Sequence, residues 1–229
     1  MTTRAVVRGV GHYLPARVVE NAEFERTLDT SDAWIRSRSG IERRHFAAED
    51  ETTSDLAAAA DLDTLIVATS TADLTFPSVA TMVQSRIGMT GGFAFDLQAV
   101  CAGFVFALAQ AQGLILSGQA RRVMVIGAET FSRILDMTDR GTCVLFGDGA
   151  GALVLEGQPG DGTSADRGIL AVDLHSDGDY RDILYVDGGV STGAVGVVRM
   201  QGREVFRHAV EKLAETAHAA LDKAGLAAE

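Results

Sequence analysis

Phe93-Ala94-Phe95-Asp96-Leu97-Gln98-Ala99-Val100-Cys101-Ala102-Gly103-Phe104 is the stretch on which the fold turns. Phe93 to Leu97 is short, aromatic and apolar, the mark of a strand buried in a sheet. Cys101 to Leu116 is a longer apolar run, and Gly118 stands where a helix would stop. A strand running into a helix across four residues is the joint of an α/β layered fold. A helix N-terminus carries unpaired backbone N–H groups and about half a positive charge. Both favour a thiolate, and the same N–H groups can hold a developing oxyanion. Ala102 and Gly103 leave the sulfur uncrowded. Cys101 is therefore a candidate nucleophile. The alternative is a small buried hydrophobe, a common use of free cysteine.

The same alternation continues outward. Strands are expected at 4–10, 64–70, 122–126, 143–146, 149–155 and 169–174. Helices are expected over 21–37, from Ser54 through Ala60, from Phe76 to Ile87, and from Arg203 to Ala224. Ser31 is a candidate N-cap, and Phe24, Leu28 and Trp34 are candidate buried positions. In the last helix Phe206, Val210, Leu213, Ala217, Ala220 and Leu221 share one face. One interval is anomalous. A crossover between parallel strands needs about a dozen residues or more, and little chain lies between Thr53 and Thr64.

Composition narrows the function. The chain has 229 residues, 47% hydrophobic, with 25 Gly and only 3 Pro, a soluble α/β-like balance. A net charge of −11 argues against general nucleic-acid or anionic-membrane binding. The two cysteines, Cys101 and Cys143, make neither a disulfide framework nor a zinc set and fit a reducing, cytosolic compartment. Cys143, in an apolar run, reads as core. The five histidines lack metal-ligand spacing, and His208 is expected to face solvent. Arg36, Arg38, Arg43 and Arg44 form the densest basic cluster, either a solvated face or a landing site for phosphates or an acidic carrier protein. The glycine-rich run 147–151 lacks the Lys-Ser/Thr of a phosphate loop.

Ala99-Val100-Cys101-Ala102-Gly103-Phe104 resembles the active-site motif of the β-ketoacyl-[acyl-carrier-protein] synthase III family. So do Asp29 to Ile35, Arg38 to Ile41, Ala68 to Thr71, Phe76 to Ser78, Thr138 to Thr142, Phe146 to Ala152 and Gly202 to Phe206, in family order along nearly the whole chain. The resemblance implies an acyltransferase that starts type II fatty-acid synthesis. It takes an acyl group from acetyl-coenzyme A or another short acyl-coenzyme A and condenses it with malonyl-acyl carrier protein. It implies a thiolase-like α/β/α/β/α sandwich of two similar halves, with 1–165 as most of the first and 166–229 as the start of the second. It also implies a homodimer, no metal and no tightly held cofactor, and no nucleic-acid or membrane partner.

Carried over residue by residue, Cys101 matches the nucleophile. Thr30, Trp34, Arg38 and Arg140 match positions that hold the nucleotide end of coenzyme A. Phe76 matches a residue that reaches across the dimer to limit the partner's acyl pocket. Leu145, Phe146, Met200, Gly202 and Phe206 match positions near the acyl or pantetheine tunnel, and core packing is an equal reading for them. The chain departs from the pattern twice. It lacks an internal helix between Ala60 and Asp61, and no residue matches the family's catalytic His and Asn; Asn21 is the only asparagine. Condensation by the literal chain is therefore not expected, and a non-catalytic remnant or scaffold stays open. So do related enzymes of this fold, among them thiolases, hydroxymethylglutaryl-coenzyme A synthases, chalcone-type synthases and secondary-metabolite priming synthases.

Overall fold

The computed structural model describes residues 2–56 and 62–228. In chain order the elements are β1 (Thr2–Tyr13), β2 (Arg17–Glu20), α1 (Asn21–Glu25), α2 (Asp32–Ser39), β3 (Arg43–Phe46), β4 (Thr64–Ala68), α3 (Val79–Arg86) and β5 (Phe93–Leu97). They continue with α4 (Gly103–Leu116), β6 (Arg122–Glu129), β7 (Gly149–Gly160), β8 (Leu184–Val186), β9 (Val198–Met200) and α5 (Gly202–Ala224). Five strands form the main sheet in the order β1-β7-β6-β4-β5. β4 runs parallel to both β5 and β6, while β7 is antiparallel to β6 and β1.

This order dictates where the helices go. The chain steps from β4 outward to β5, then back past β4 to β6. Right-handed crossovers in opposite directions put their helices on opposite faces of the sheet. The core has that division. Val79, Ala80 and Val83 of α3 pack with Leu65, Val67, Met124 and Ile126. Ala107, Ala111, Leu114 and Ile115 of α4 pack with Ile66, Ala68, Val123 and Val125 on the other side. Alternate residues of β4 and β6 thus face alternate layers, as the two-residue period of a strand requires. β4 is buried along its whole length, which explains its unbroken apolar sequence.

A second, smaller body sits beside the sheet. β2 and β3 pair antiparallel, with Val19 opposite Arg44. Together with α1 and α2 they enclose Val19, Phe24, Ile35, Phe46, Cys143 and Val144. The expected helix over 21–37 is in fact two. α1 stops early, and Ser31 restarts the chain by accepting a hydrogen bond from the Trp34 N–H at 3.1 Å. Phe24 is buried, but Leu28 and Trp34 are only half-buried. Gly40 ends α2 with φ of 72°, a conformation that favours glycine.

Several expectations change. Residues 143–146 are not a strand: Cys143 and Leu145 lie in a turn begun at Asp139, whose carbonyl accepts the Cys143 N–H at 3.0 Å. Residues 169–174 form no strand either, although the Ile169 N–H reaches the Ala5 carbonyl at the edge of β1. Among the described residues that is the one backbone tie to β1 from this segment, and a side chain, Gln112, donates to the Ile169 carbonyl. α4 begins at Gly103 rather than Cys101. The helix expected from Ser54 begins as a tight 3₁₀ turn at Thr53–Leu56, and its continuation at 57–60 lies outside the described residues. α5 is the amphipathic helix expected, but its apolar face is uncovered: Phe206 is 72% and Leu213 69% exposed. His208 is half-buried rather than solvent-facing, its ring 4.0 Å from that of Tyr180.

One carboxylate fastens α3 to the sheet beside the Cys101 joint. Asp96 of β5 accepts the Val79 and Ala80 N–H groups, each at 2.8 Å, and so satisfies two open donors of the first turn. Asp96→Ala is expected to lower unfolding free energy by about 2 kcal/mol in urea titrations, and Asp96→Asn by less, because its amide oxygen still accepts. Equal stability of Asp96→Ala and the parent chain would contradict this role.

Candidate active site

At β4 the connections of neighbouring strands leave for opposite faces of the sheet. In open α/β sheets such a reversal opens a crevice at the carboxyl ends of the strands. The loop after β4, the β5–α4 joint and the end of β6 all meet there. Cys101 sits in a 3₁₀ turn, Val100–Ala102, between β5 and α4, and is exposed. Val100 before it has φ of +49°, a left-handed conformation. For a β-branched residue this costs about 1–2 kcal/mol. The strain makes the chain turn sharply enough to present the next side chain outward.

The floor below the joint is tightly built. A Cβ on Gly103 would meet the Ala68 methyl at 3.4 Å, and one on Gly127 would meet the Phe104 ring at 3.1 Å. The Thr69 N–H donates to the Leu97 carbonyl at 3.2 Å, extending the β4–β5 ladder toward Cys101. Glu129 closes the floor from β6. Its carboxylate accepts the Ser70 N–H at 2.8 Å and the Thr71 hydroxyl, and burial pushes its pKa up. Sequence reading passed over Glu129, because its role depends on a loop 58 residues away in the chain.

A second cluster gathers three of the expected nucleotide residues. Trp34 projects from α2. The Arg38 guanidinium lies 4.9 Å from its ring centroid and the Arg140 guanidinium 5.1 Å. Arg38, on the same helix, reaches back four residues. Arg140 comes from the 136–145 turn, which Asp139 shapes by accepting the Gly141 N–H at 2.8 Å and the Thr142 hydroxyl at 2.9 Å. Arg140 is tethered to Asp29, but Arg38 has no carboxylate partner among the described residues. Two cations converging on one indole repel each other, and an anion placed between them would relieve that repulsion. Thr30 stands at the entry to α2, with its hydroxyl oxygen buried and without a hydrogen-bond partner among the described residues.

The basic cluster read from sequence separates in space. Arg36 pairs with Glu42 at 2.6 Å, and Arg44 is buried, 6% exposed. Arg44 therefore belongs to no solvated face. The remaining expected residues do not form one cluster. Leu145 packs with Trp34 around the β2–β3 core. Phe146 stacks on Phe131 at 4.6 Å in a separate cluster with Ile134, Leu135, Val198, Leu184 and Val186. Met200 ends β9 opposite Leu184, and Gly202 opens α5, where a Cβ would meet the Met200 methyl at 3.5 Å. Phe206 and Phe76 are largely solvent-exposed, Phe76 at 81%. Cys143 lies in the core, its thiol pushed up to about 11 by burial. Among the described residues no group of three His, Cys, Asp or Glu could hold a metal.

Known proteins can be set beside this geometry. Residues 95–178 match the profile of the 3-oxoacyl-[acyl-carrier-protein] synthase III family. A β-ketoacyl-[acyl-carrier-protein] synthase III of Cereibacter sphaeroides is 74% identical over 99% of this chain and 74% of its own length. That alignment runs over 239 positions, more than the 229 residues of the chain, so the relative carries internal residues with no counterpart here. The crystal structure of 3-oxoacyl-[acyl-carrier-protein] synthase III from Aquifex aeolicus superimposes with a TM-score of 0.88 at 40% identity, covering 97% of this chain and 72% of that one. The priming β-ketosynthase of the R1128 polyketide pathway superimposes at 0.87 with 33% identity, over 98% of this chain and 71% of its own. The α/β architecture is thus thiolase-like, and the 74% identity to the Cereibacter enzyme, against 33% to the priming β-ketosynthase, places the chain with synthase III. The chain belongs to the β-ketoacyl-[acyl-carrier-protein] synthase III family, the acyltransferases whose condensation starts fatty-acid synthesis.

Proposed function

We propose that Cys101 is the acyl-accepting nucleophile and that Trp34, Arg38 and Arg140, with Thr30, hold the nucleotide end of an acyl-coenzyme A substrate. The observation that carries the reading is the exposed thiol on a strained joint at the carboxyl ends of parallel strands. The sulfur attacks the thioester carbonyl, and a carbon–sulfur bond forms to Cys101. The bond to the coenzyme A sulfur breaks, and coenzyme A leaves with the proton that the Cys101 thiol gives up. N–H groups at the start of α4 face the carbonyl oxygen as it gains charge. The second substrate is malonyl-acyl carrier protein. In the family's reaction its decarboxylation gives a carbanion that displaces the enzyme sulfur from the acyl carbon, releasing carbon dioxide and a 3-oxoacyl-acyl carrier protein; residues 1–229 hold no match for the His and Asn of that step, so acyl transfer to Cys101 is the step proposed for them. Leu145, Phe146, Met200, Gly202 and Phe206 are proposed to line the path of the acyl and pantetheine chain. Acyl transfer needs no metal and no resident cofactor.

The assembly is proposed to be a homodimer formed along β5. That strand is the edge of the sheet, and an edge invites a second strand. Phe93, 40% exposed, lies on it, and the exposed Leu74 and Phe76 lie on the loop after β4. A second copy related by a two-fold axis would cover these groups and carry Phe76 toward the partner's site. The cytoplasm is the proposed location. Two free thiols suit a reducing compartment, and no helix among the described residues is long and apolar enough to cross a membrane.

Three measurements bear on this reading. Incubation with acetyl-coenzyme A is expected to add one acetyl group per chain by intact mass. Cys101→Ala should abolish the addition and Cys143→Ala should leave it, because the buried Cys143 thiol stays protonated at neutral pH. Acetyl on the Cys101→Ala chain would refute the assignment. Trp34 is the sole tryptophan, so its emission is expected to change saturably with coenzyme A, and Arg140→Ala should weaken that binding about tenfold, the equivalent of ~1.4 kcal/mol. A flat titration would remove the nucleotide site. Sedimentation velocity at micromolar concentration should give a dimer, and a monomer at every concentration would exclude the β5 interface.

A further inference from the structure

We infer that Arg44 is a positioning residue for the nucleotide site: a buried guanidinium that holds together the two walls from which Trp34 and Arg140 project. The inference rests on the reading of Trp34, Arg38 and Arg140 as the coenzyme A subsite. It starts from an unusual burial. Arg44 is 6% exposed, and no carboxylate is among its hydrogen-bond partners in the described residues. Burying a charge without a counter-charge is costly, and the cost is met only if its donors are well used.

The two terminal nitrogens reach three different pieces of the small body, while Nε is buried with no hydrogen-bond partner among the described residues. One terminal nitrogen donates to the Val19 carbonyl on β2 at 3.2 Å. The other donates to Asn21 Oδ1 at 2.7 Å and to the Val144 carbonyl at 3.1 Å. The guanidinium also lies 4.9 Å from the Phe24 ring centroid on α1. Asn21, 1% exposed, passes the constraint on. Its amide nitrogen donates to Asp32 Oδ1 and to the Ile41 carbonyl, both at 2.8 Å. These two acceptors bracket α2, one in its first turn and one just beyond its end. The helix bearing Trp34 and Arg38 is therefore held at both ends through Asn21. Val144 belongs to the turn that Asp139 shapes, four residues after Arg140. Arg44 is thus the shared anchor of two segments about a hundred residues apart in sequence. Their side chains converge on one indole.

Lysine cannot reproduce this. An ammonium is a compact point charge, whereas the planar guanidinium spans acceptors on separate segments. Arg44→Lys is expected to keep the fold and loosen the fit between the walls. Arg44→Met removes the charge as well. The readout is a comparison of two acetyl donors, acetyl-coenzyme A and acetyl-pantetheine, which lacks the nucleotide. For both variants the acetylation rate of Cys101 at subsaturating acetyl-coenzyme A should fall about tenfold or more, with the maximal rate little changed. The rate with acetyl-pantetheine should stay within about twofold of the parent chain. Quenching of Trp34 by coenzyme A should weaken in parallel, which reports binding without any chemistry.

Rates that fall equally with both donors would assign Arg44 a purely structural role and overturn the inference. Unchanged rates and unchanged Trp34 titrations would also overturn it. No response of Trp34 to coenzyme A in the parent chain would instead remove the nucleotide reading, and the inference with it.

Discussion

β4 is buried along its whole length and lies between two parallel partners, and the rest of the molecule follows from that constraint. A strand in this position can take no polar side chain on either face without leaving it unpaired. Its five residues, Thr64 to Ala68, are accordingly apolar except for the first. Because crossovers are right-handed, a chain that leaves β4 on one side and returns past it on the other must lay α3 and α4 on opposite faces. The two cores are then independent, one around Val83 and Met124 and the other around Ala107 and Val125. The crevice at the carboxyl ends of the strands comes from the same reversal. Cys101 is at this place because β5 is the strand at which the chain turns back.

The joint that carries Cys101 joins strain to support. Val100 is held in a left-handed conformation that a free chain would avoid. Contacts such as Ala68 beneath Gly103, and the Glu129 carboxylate gathering the Ser70 and Thr71 donors, over-determine the surroundings. The Trp34–Arg38–Arg140 cluster is organised differently. It stands on a small body with its own core, and a single guanidinium ties that body's helices to the 136–145 turn. The exposed thiol and the Trp34–Arg38–Arg140 cluster therefore rest on separate scaffolds. Changes in one can be read apart from changes in the other.

Much of this was legible in the chain because it is local. The Phe93–Leu97 strand, the Ser31 cap and the glycine stop at Gly118 each depend on a few consecutive residues. Family motifs spread over most of the chain single out Cys101, Trp34, Arg38 and Arg140, and the last three meet in the structure. Sequence reading failed where an outcome depends on distant partners. Residues 143–146 are apolar enough for a strand, but no neighbouring strand offers them a ladder, and Asp139 folds them into a turn instead. Arg44 stands beside Arg43 and near Arg36 and Arg38, so it reads as one of a set of surface charges. The β2–β3 register turns its side chain inward.

By itself, then, the sequence determined the layered α/β class, the strand-to-helix joint at Cys101 and membership of the condensing-enzyme family, since periodicity, caps and contiguous motifs are short-range properties. Only the tertiary structure decided which face each helix takes, that Val100 is strained, that Arg38 and Arg140 converge on Trp34, and that Arg44 is buried among Val19, Asn21 and Val144. Those outcomes require segments up to about a hundred residues apart to meet. Their cost and benefit exist only when donors, acceptors and apolar surfaces from both segments are present together.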